Sequence, residues 1–204
     1  MTLSETIATA PIVLASNSLA RRQLLVGAGL TFETCAAAVD ERAIEAGLEA
    51  NGPAEVAEAL AEAKALAVSR QRPAALVIGA DQTLGLGAQM FHKPGSRQEA
   101  RATLRTLRSQ THRLYSGIAI AEGGEVLYRQ VVAASLTMRA FSDDFLESYL
   151  DRVGDDVLKS VGCYQLEGPG IQLFEAIEGD YFTILGLPLL PLLAFLRSIG
   201  RLDG

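Results

Sequence analysis

The feature that most constrains the fold is a short apolar run, Ala74-Ala75-Leu76-Val77-Ile78, followed by Gly79-Ala80-Asp81-Gln82-Thr83. A β-branched run ending in glycine and a lone acid reads as a buried strand that delivers a carboxylate to the open edge of a sheet. In α/β proteins, ligand sites lie beyond the carboxyl ends of the strands. A carboxylate there can hold a divalent cation or take a proton from water. An aspartate after a strand is also an ordinary turn residue, so the neighbouring segments must decide its role.

With 204 residues, 49% of them hydrophobic and 21% charged, the chain can bury one sizeable core and is read as a single domain, 1–204, with room for two lobes. A net charge of −6 argues against a surface that coats nucleic acid. Cys35 and Cys163 are far apart and form no CxxC or His-containing metal spacing, so neither a disulfide framework nor a zinc site is indicated. A reducing cytoplasm is the expected location. Met1 to Ala10 carries Glu5 and no basic stretch ahead of Ile12-Val13-Leu14, which argues against a signal peptide. The most apolar stretch, Ile184 to Leu196, contains Pro188 and Pro191 and falls short of the roughly 20 residues that span a bilayer. A homodimer is compatible with all of this.

Pro11 to Ala15 reads as a first buried strand, and Ser16-Asn17-Ser18 as the turn and N-cap of a helix through Arg21, Arg22, Leu24 and Leu25. Cations at a helix N-terminus oppose the macrodipole, so Arg21-Arg22 fits better with an anion bound there; two solvated arginines are the plain alternative. Gly27 and Gly29 end the helix, and Thr31 to Cys35 alternates like a half-buried strand. Asp40-Glu41 is either an N-cap pair or a source of a second carboxylate beside Asp81. Pro53 to Arg70 is an alanine-rich helix on whose apolar stripe Lys64 borders, either snorkelling to solvent or reaching into a cleft.

Leu84 to Met90 reads as a glycine-turned hairpin leading to Phe91-His92-Lys93-Pro94, with Lys93 held in an extended dipeptide and its hairpin end expected near Asp81. Ser96 to Arg108 is a capped helix whose Arg97, Arg101, Arg105 and Arg108 share one face, a solvated stripe or a contact for nucleic acid. Two long strands, Arg113–Ala121 and Val126–Arg139, join at Gly123-Gly124 and imply a mixed sheet. A helix from Ser142 to Val153 places Phe145, Tyr149 and Leu150 inward, Gly154 to Gly170 is irregular, Ile171 to Ile177 alternates as a strand, and Pro188 opens the last helix. There is no P-loop, dinucleotide fingerprint or nucleophile elbow.

Taken in order, several blocks resemble those of the Maf-like nucleotide pyrophosphatases. They are Leu14-Ala15-Ser16-Asn17-Ser18-Leu19-Ala20-Arg21-Arg22-Gln23-Leu24-Leu25, Val39-Asp40-Glu41, Ala63-Lys64-Ala65, Gly79-Ala80-Asp81-Gln82, Lys93-Pro94, Glu167-Gly168, and Glu178-Gly179-Asp180-Tyr181 with Gly186-Leu187-Pro188-Leu189. The resemblance implies a two-lobed α/β fold with an elongated mixed sheet flanked by helices, similar to inosine triphosphate pyrophosphatases. It implies hydrolysis of a nucleoside triphosphate to monophosphate and pyrophosphate, assisted by a divalent metal cation such as Mg²⁺, Mn²⁺ or Co²⁺. By position, Asp81 and Glu41 would be the catalytic and metal-holding acids. Ser16, Arg21, Arg22, Lys64 and Lys93 would line the triphosphate. Gln82 and Glu167 stand where many members have Thr and Gln. With the extra residue between Ser18 and Arg21, they look more like the branch associated with 7-methyl-GTP than the one associated with dTTP and UTP. Leu19-Ala20 in place of the family's proline, and Tyr181, depart from the pattern. A nucleic-acid-binding or cell-division regulatory protein is the alternative from another class.

Overall fold

The structure, a computed structural model, describes residues 10–48 and 51–203, so the reading of Met1 to Ala10 lies, except for Ala10, outside the described residues. In chain order the elements are β1 (Ile12–Leu14), α1 (Leu19–Gly27), β2 (Glu33–Thr34), α2 (Glu41–Ala46), α3 (Pro53–Gln71), β3 (Leu76–Leu86), β4 (Gln89–Phe91), α4 (Arg97–Leu107), β5 (Thr111–Glu122), β6 (Glu125–Met138), α5 (Asp143–Val153), β7 (Phe174–Glu178), α6 (Tyr181–Ile184) and α7 (Leu189–Ser198), with 3₁₀ turns over Gly154–Lys159 and Pro169–Leu173. The sheet is mixed and open, in the order β2-β1-β3-β5-β6-β7 with β4 on β3. β1 is parallel to β2 and β3, whereas β3–β4 and β6–β7 are antiparallel. The expected α/β class with a mixed sheet is the fold observed.

The chain divides into two compact units, the first running through Gln82 with Ser116–Val132 and the segment from Tyr181 on, the second comprising Thr83–Tyr115 and Ala133–Asp180. In the first unit the strands follow a period of two, sending alternate side chains to opposite faces. Ile12, Leu14, Leu76, Ile78, Ala80, Ile118 and Ile120 pack with Leu25 of α1 and Leu192 and Leu196 of α7. Val13, Ala15, Val77 and Ala75 pack with Val68 of α3 on the opposite face.

On the α3 face the sheet is bare at two glycines. A Cβ on Gly79 would lie 2.2 Å from the Ala61 carbonyl oxygen, and one on Gly117 would lie 2.3 Å from that of Ala57. The helix backbone therefore rests directly on the strands, with Ala61 and Ala65 packed on Ala119 and Ala121. This overturns the reading of Gly79 as the end of the strand: β3 continues for 11 residues, and Asp81 lies inside it. Glycine serves here for close backbone approach, not for a turn.

Other boundaries also move. Thr31–Cys35 contracts to the two exposed residues of β2, at the sheet's edge against β1 alone. The turn after β5 does use Gly123 and Gly124, both at positive φ (59° and 85°), as the sequence implied. In the second unit, Leu146 takes the buried place expected of Phe145, which is half-buried with the Arg139 guanidinium 4.3 Å from its ring centre. Ile171–Leu173 belongs to a 3₁₀ turn, and extended structure starts only at Phe174. There the chain turns back tightly enough that a Cβ on Gly170 would meet the Gln165 carbonyl oxygen at 2.5 Å.

β5 turns His112 inward in the second unit, fully buried, with Nε2 2.7 Å from the Tyr164 hydroxyl and Nδ1 without a partner among the described residues. Burial pushes its pKa down to about 4. In the unfolded chain a histidine titrates near pH 6.5, so between those values the unfolded state binds the extra proton. Stability is full above about pH 6.5 and falls as pH drops toward 4, by up to about 3 kcal/mol. Thermal midpoints measured from pH 7.5 to 4 are expected to show this slope, and His112→Gln is expected to flatten it.

A second expected outcome concerns the helix-on-sheet contact. Gly79→Ala forces backbone apart and is expected to cost about 3 kcal/mol, the upper end for overpacking. Gly27→Ala, with nothing within 4 Å of the added carbon, serves as the control and is expected to change stability by less than about 0.5 kcal/mol in urea titrations.

Candidate functional site

The consequence of α3 lying on bare backbone is the placement of Lys64. Val77, Gly79 and Asp81 share one face of β3 by the strand period, and that face receives α3. Lys64, one turn after Leu60, meets Asp81 there: Nζ lies 2.5 Å from Asp81 Oδ1 and 2.7 Å from Glu41 Oε1. Lys64 and Asp81 are each only 9% exposed, whereas the Glu41 side chain is 51% exposed. Lys64 thus reaches inward and does not snorkel. Asp40 caps α2 by accepting from the Ala43 amide at 3.1 Å, which sets Glu41 as the first residue of the helix. Both alternatives for the acidic pair hold at once: one acid caps, the next joins the cluster.

Lysine between two carboxylates carries a formal charge of −1 in total. Removing two carboxylates and an ammonium from water is costly unless the geometry is good, so such a cluster is weak evidence for stability. Each carboxylate engages Lys64 through one oxygen, Oε1 or Oδ1, which leaves the second oxygen of each as a donor for a hard cation. A cation of the Mg²⁺ kind needs only one or two carboxylates when substrate phosphates supply other ligands, and the donor set fits that need. No group of three or more His, Cys, Asp or Glu side chains able to hold a metal occurs among the described residues.

Arg21 is placed differently from the expectation that it would present its charge to an anion. Its Nε donates to the Gly186 carbonyl at 2.8 Å, and Nη1 donates to the Ala80 carbonyl at 2.8 Å and to Ser16 Oγ at 3.2 Å. Burial lowers its pKa, and the charges of Asp81 and Glu41 oppose that shift. Arg21 therefore ties the α1 start, β3 and the Gly186 loop together behind the acids. Ser18 caps α1 by accepting from the Arg21 amide at 3.3 Å, and Ser16 Oγ accepts from the Ser18 amide at 3.2 Å. Arg22, on the exposed side of α1, engages no partner through its side chain among the described residues.

Gln82 is likewise committed. Its Nε2 donates toward Ser116 Oγ (2.9 Å) and the carbonyls of Thr183 and Ile184 (both 3.0 Å), while Ser116 Oγ donates to the Thr183 carbonyl at 2.7 Å. Only its carbonyl oxygen is left for a ligand. Ser116 and Thr183 are not singled out in the sequence, and Gly186 is named there only as part of a family-like block. A signal existed for Gly186, whose φ of +91° favours glycine, with a Cβ there 3.5 Å from Arg21 Nε.

The first unit thus brings Ser16, Arg21, Glu41, Lys64, Asp81 and Gln82 together. In the second unit, Lys93 is exposed after β4, whose pairing with β3 ends at Phe91, and Glu167 is exposed in the turn before Gly168. The arginine stripe of α4 faces α5: Arg101 forms a two-pronged pair with Glu147 (2.5 and 2.6 Å), Arg97 binds Asp151 (2.5 Å), and Arg105 and Arg108 share Asp143 (3.0 and 2.9 Å). These charges are matched within the protein and do not form an unneutralised basic face.

Among the described residues, no helix is long and apolar enough to cross a membrane. Comparison with known proteins places the whole arrangement in context. The chain is 56% identical over 194 residues, 94% of its length and 98% of the relative's, to a protein of Rhizobium meliloti (strain 1021) named 7-methyl-GTP pyrophosphatase. It is 53% identical over 198 residues, 96% of its length and all of the relative's, to one of the same name from Brucella abortus biovar 1 (strain 9-941). A Bradyrhizobium diazoefficiens (strain JCM 10833 / BCRC 13528 / IAM 13628 / NBRC 14792 / USDA 110) protein named nucleoside triphosphate pyrophosphatase shares 53% over 188 residues, 92% of this chain and 93% of that one. The model of the Maf-like proteins matches residues 11–199, and with nearly the full length covered the chain belongs to the Maf-like family.

Proposed function

We propose that this protein hydrolyses a nucleoside triphosphate to the monophosphate and pyrophosphate, with a guanine nucleotide methylated at N7 as the preferred substrate. The observation that carries the reading is the buried Lys64 bridging Asp81 and Glu41, in a chain whose relatives at 53–56% identity bear pyrophosphatase names. A triphosphate needs cationic neighbours, and catalysis of its hydrolysis is mainly positioning plus charge stabilisation. Arg22 and Lys64 supply positive charge to the phosphates, and Arg21 holds the backbone that carries Asp81. Water attacks the α-phosphorus, Asp81 takes its proton, and pyrophosphate leaves as the α–β anhydride bond breaks. Asp81 and Glu41 would hold a divalent cation, Mg²⁺, Mn²⁺ or Co²⁺, which when bound polarises the α-phosphate. Lys64 holds both acids in place. The reading places the enzyme in the cytoplasm and admits a homodimer.

Asp81→Asn keeps the shape and removes the base. It is expected to lower kcat by about 10²- to 10⁴-fold at saturating Mg²⁺ with the thermal midpoint retained. Wild-type turnover in that variant would remove Asp81 from the mechanism. Product analysis separates neighbouring reactions: pyrophosphate with monophosphate is expected, and orthophosphate with diphosphate contradicts the reading. A panel of nucleotides that ranked dTTP or UTP above 7-methyl-GTP would overturn the base preference alone.

A further inference from the structure

The second unit contains a cavity of about 490 Å³ that the Lys64 cluster does not use, lined by Gly85, Gly87, Thr111, Arg113, Tyr115, Ser135, Thr137 and Glu178. It follows from strand period. Along β5, His112, Leu114 and Ser116 are buried, which turns Thr111, Arg113 and Tyr115 to the other face. Along β6, Leu136 and Met138 are buried and Ser135 and Thr137 accompany the outward set. β7 adds Glu178 directly opposite Ser135. Gly85 and Gly87 add no side chain, so the space stays open.

Volumes of about 300–1,000 Å³ suit small organic ligands. The lining holds one aromatic ring, one guanidinium, one carboxylate and hydroxyls, with no aliphatic side chain, so the matching ligand is planar and polar. Thr111 and Thr137 bond each other at 2.9 Å. Arg113, Tyr115 and Glu178 engage no other side chain among the described residues, and the two opposite charges form no ion pair with each other. One donor fork and one acceptor pair are therefore both presented to whatever enters.

We infer that this cavity binds a nucleobase bearing a ring N–H beside a carbonyl, the edge shared by guanine, hypoxanthine, uracil and thymine and lacking in adenine and cytosine. Glu178 accepts from the ring N–H, and Arg113 donates to the adjacent carbonyl oxygen. Adenine presents an unprotonated ring nitrogen to Glu178 and an amino group to Arg113, which leaves acceptor facing acceptor and donor facing donor. Tyr115 supplies a ring on which the base stacks, and a methylated cationic guanine gains further from that ring and from the Glu178 charge. The assignment rests on the proposed nucleotide substrate.

Inosine and adenosine differ at this edge and carry no phosphate, so their binding to the full chain, read by calorimetry, reports on the cavity whether or not hydrolysis occurs. Wild type is expected to bind inosine at least about 10-fold more tightly than adenosine, and Glu178→Gln to erase that ratio because an amide both donates and accepts. Tyr115→Ala is expected to weaken inosine and adenosine alike by about 10-fold, because stacking on the ring does not read the edge. An unchanged inosine-to-adenosine ratio in Glu178→Gln, with its thermal midpoint retained, overturns the inference. Discrimination between the nucleosides without release of pyrophosphate from any triphosphate would leave the inference standing and overturn the proposed function.

Discussion

The structure of the first unit depends on one contact, the seating of α3 on the bare backbone of Gly79 and Gly117. Side chains ordinarily hold a helix well clear of a sheet. Here Ala57, Ala61 and Ala65 meet glycines, and no Cβ separates the two layers at either crossing. The short distance allows Lys64, one turn along, to reach Asp81 with its ammonium. A side chain at position 79 would push the helix outward and separate the pair, so packing and charge placement are one constraint, not two.

The opposite face of β3 is tied differently. Ala80 presents its carbonyl to Arg21, which also holds Gly186, and Gln82 reaches Ser116 and the carbonyls of α6. These bonds join segments separated by 34 to 165 positions along the chain. Hydrogen bonds to charged groups contribute about 1.5–3 kcal/mol each, and an unsatisfied buried carbonyl costs energy comparable to that loss. Arg21 and Gln82 therefore fix where the backbone of Asp81 sits, which makes them positioning residues for the acid between them.

Much of this was legible in the sequence, and the misses have physical causes. Strands, helices and the Gly123-Gly124 hairpin follow from periodicity and turn chemistry, which are local properties. Gly79 was misread because a glycine after an apolar run has two meanings, turn or close approach, and only the position of Ala61 distinguishes them. Lys64 was ambiguous for the same reason, since a lysine bordering an apolar stripe reaches solvent unless a buried acid stands opposite. The role of Gln82 depends on Thr183 and Ile184, about a hundred residues on, which no local pattern reports. The strand expected over Ile171–Leu173 failed where Pro169 and Gly170 imposed a tight turn that alternation alone does not reveal.

Pairing separates the charges that hold the fold from those available to a ligand. The four arginines of α4 looked in sequence like the largest cationic feature of the chain, yet each meets an acid of α5, and exposed pairs of this kind contribute little energy while cancelling the field that would attract nucleic acid. Arg113 and Glu178 are fewer, but both line one cavity with no side-chain partner among the described residues. A charge already neutralised must break a bond to bind a ligand, whereas an unpaired one exchanges only water. By that criterion the chemistry of the second unit lies on the open face of β5, β6 and β7 and not on its most basic helix.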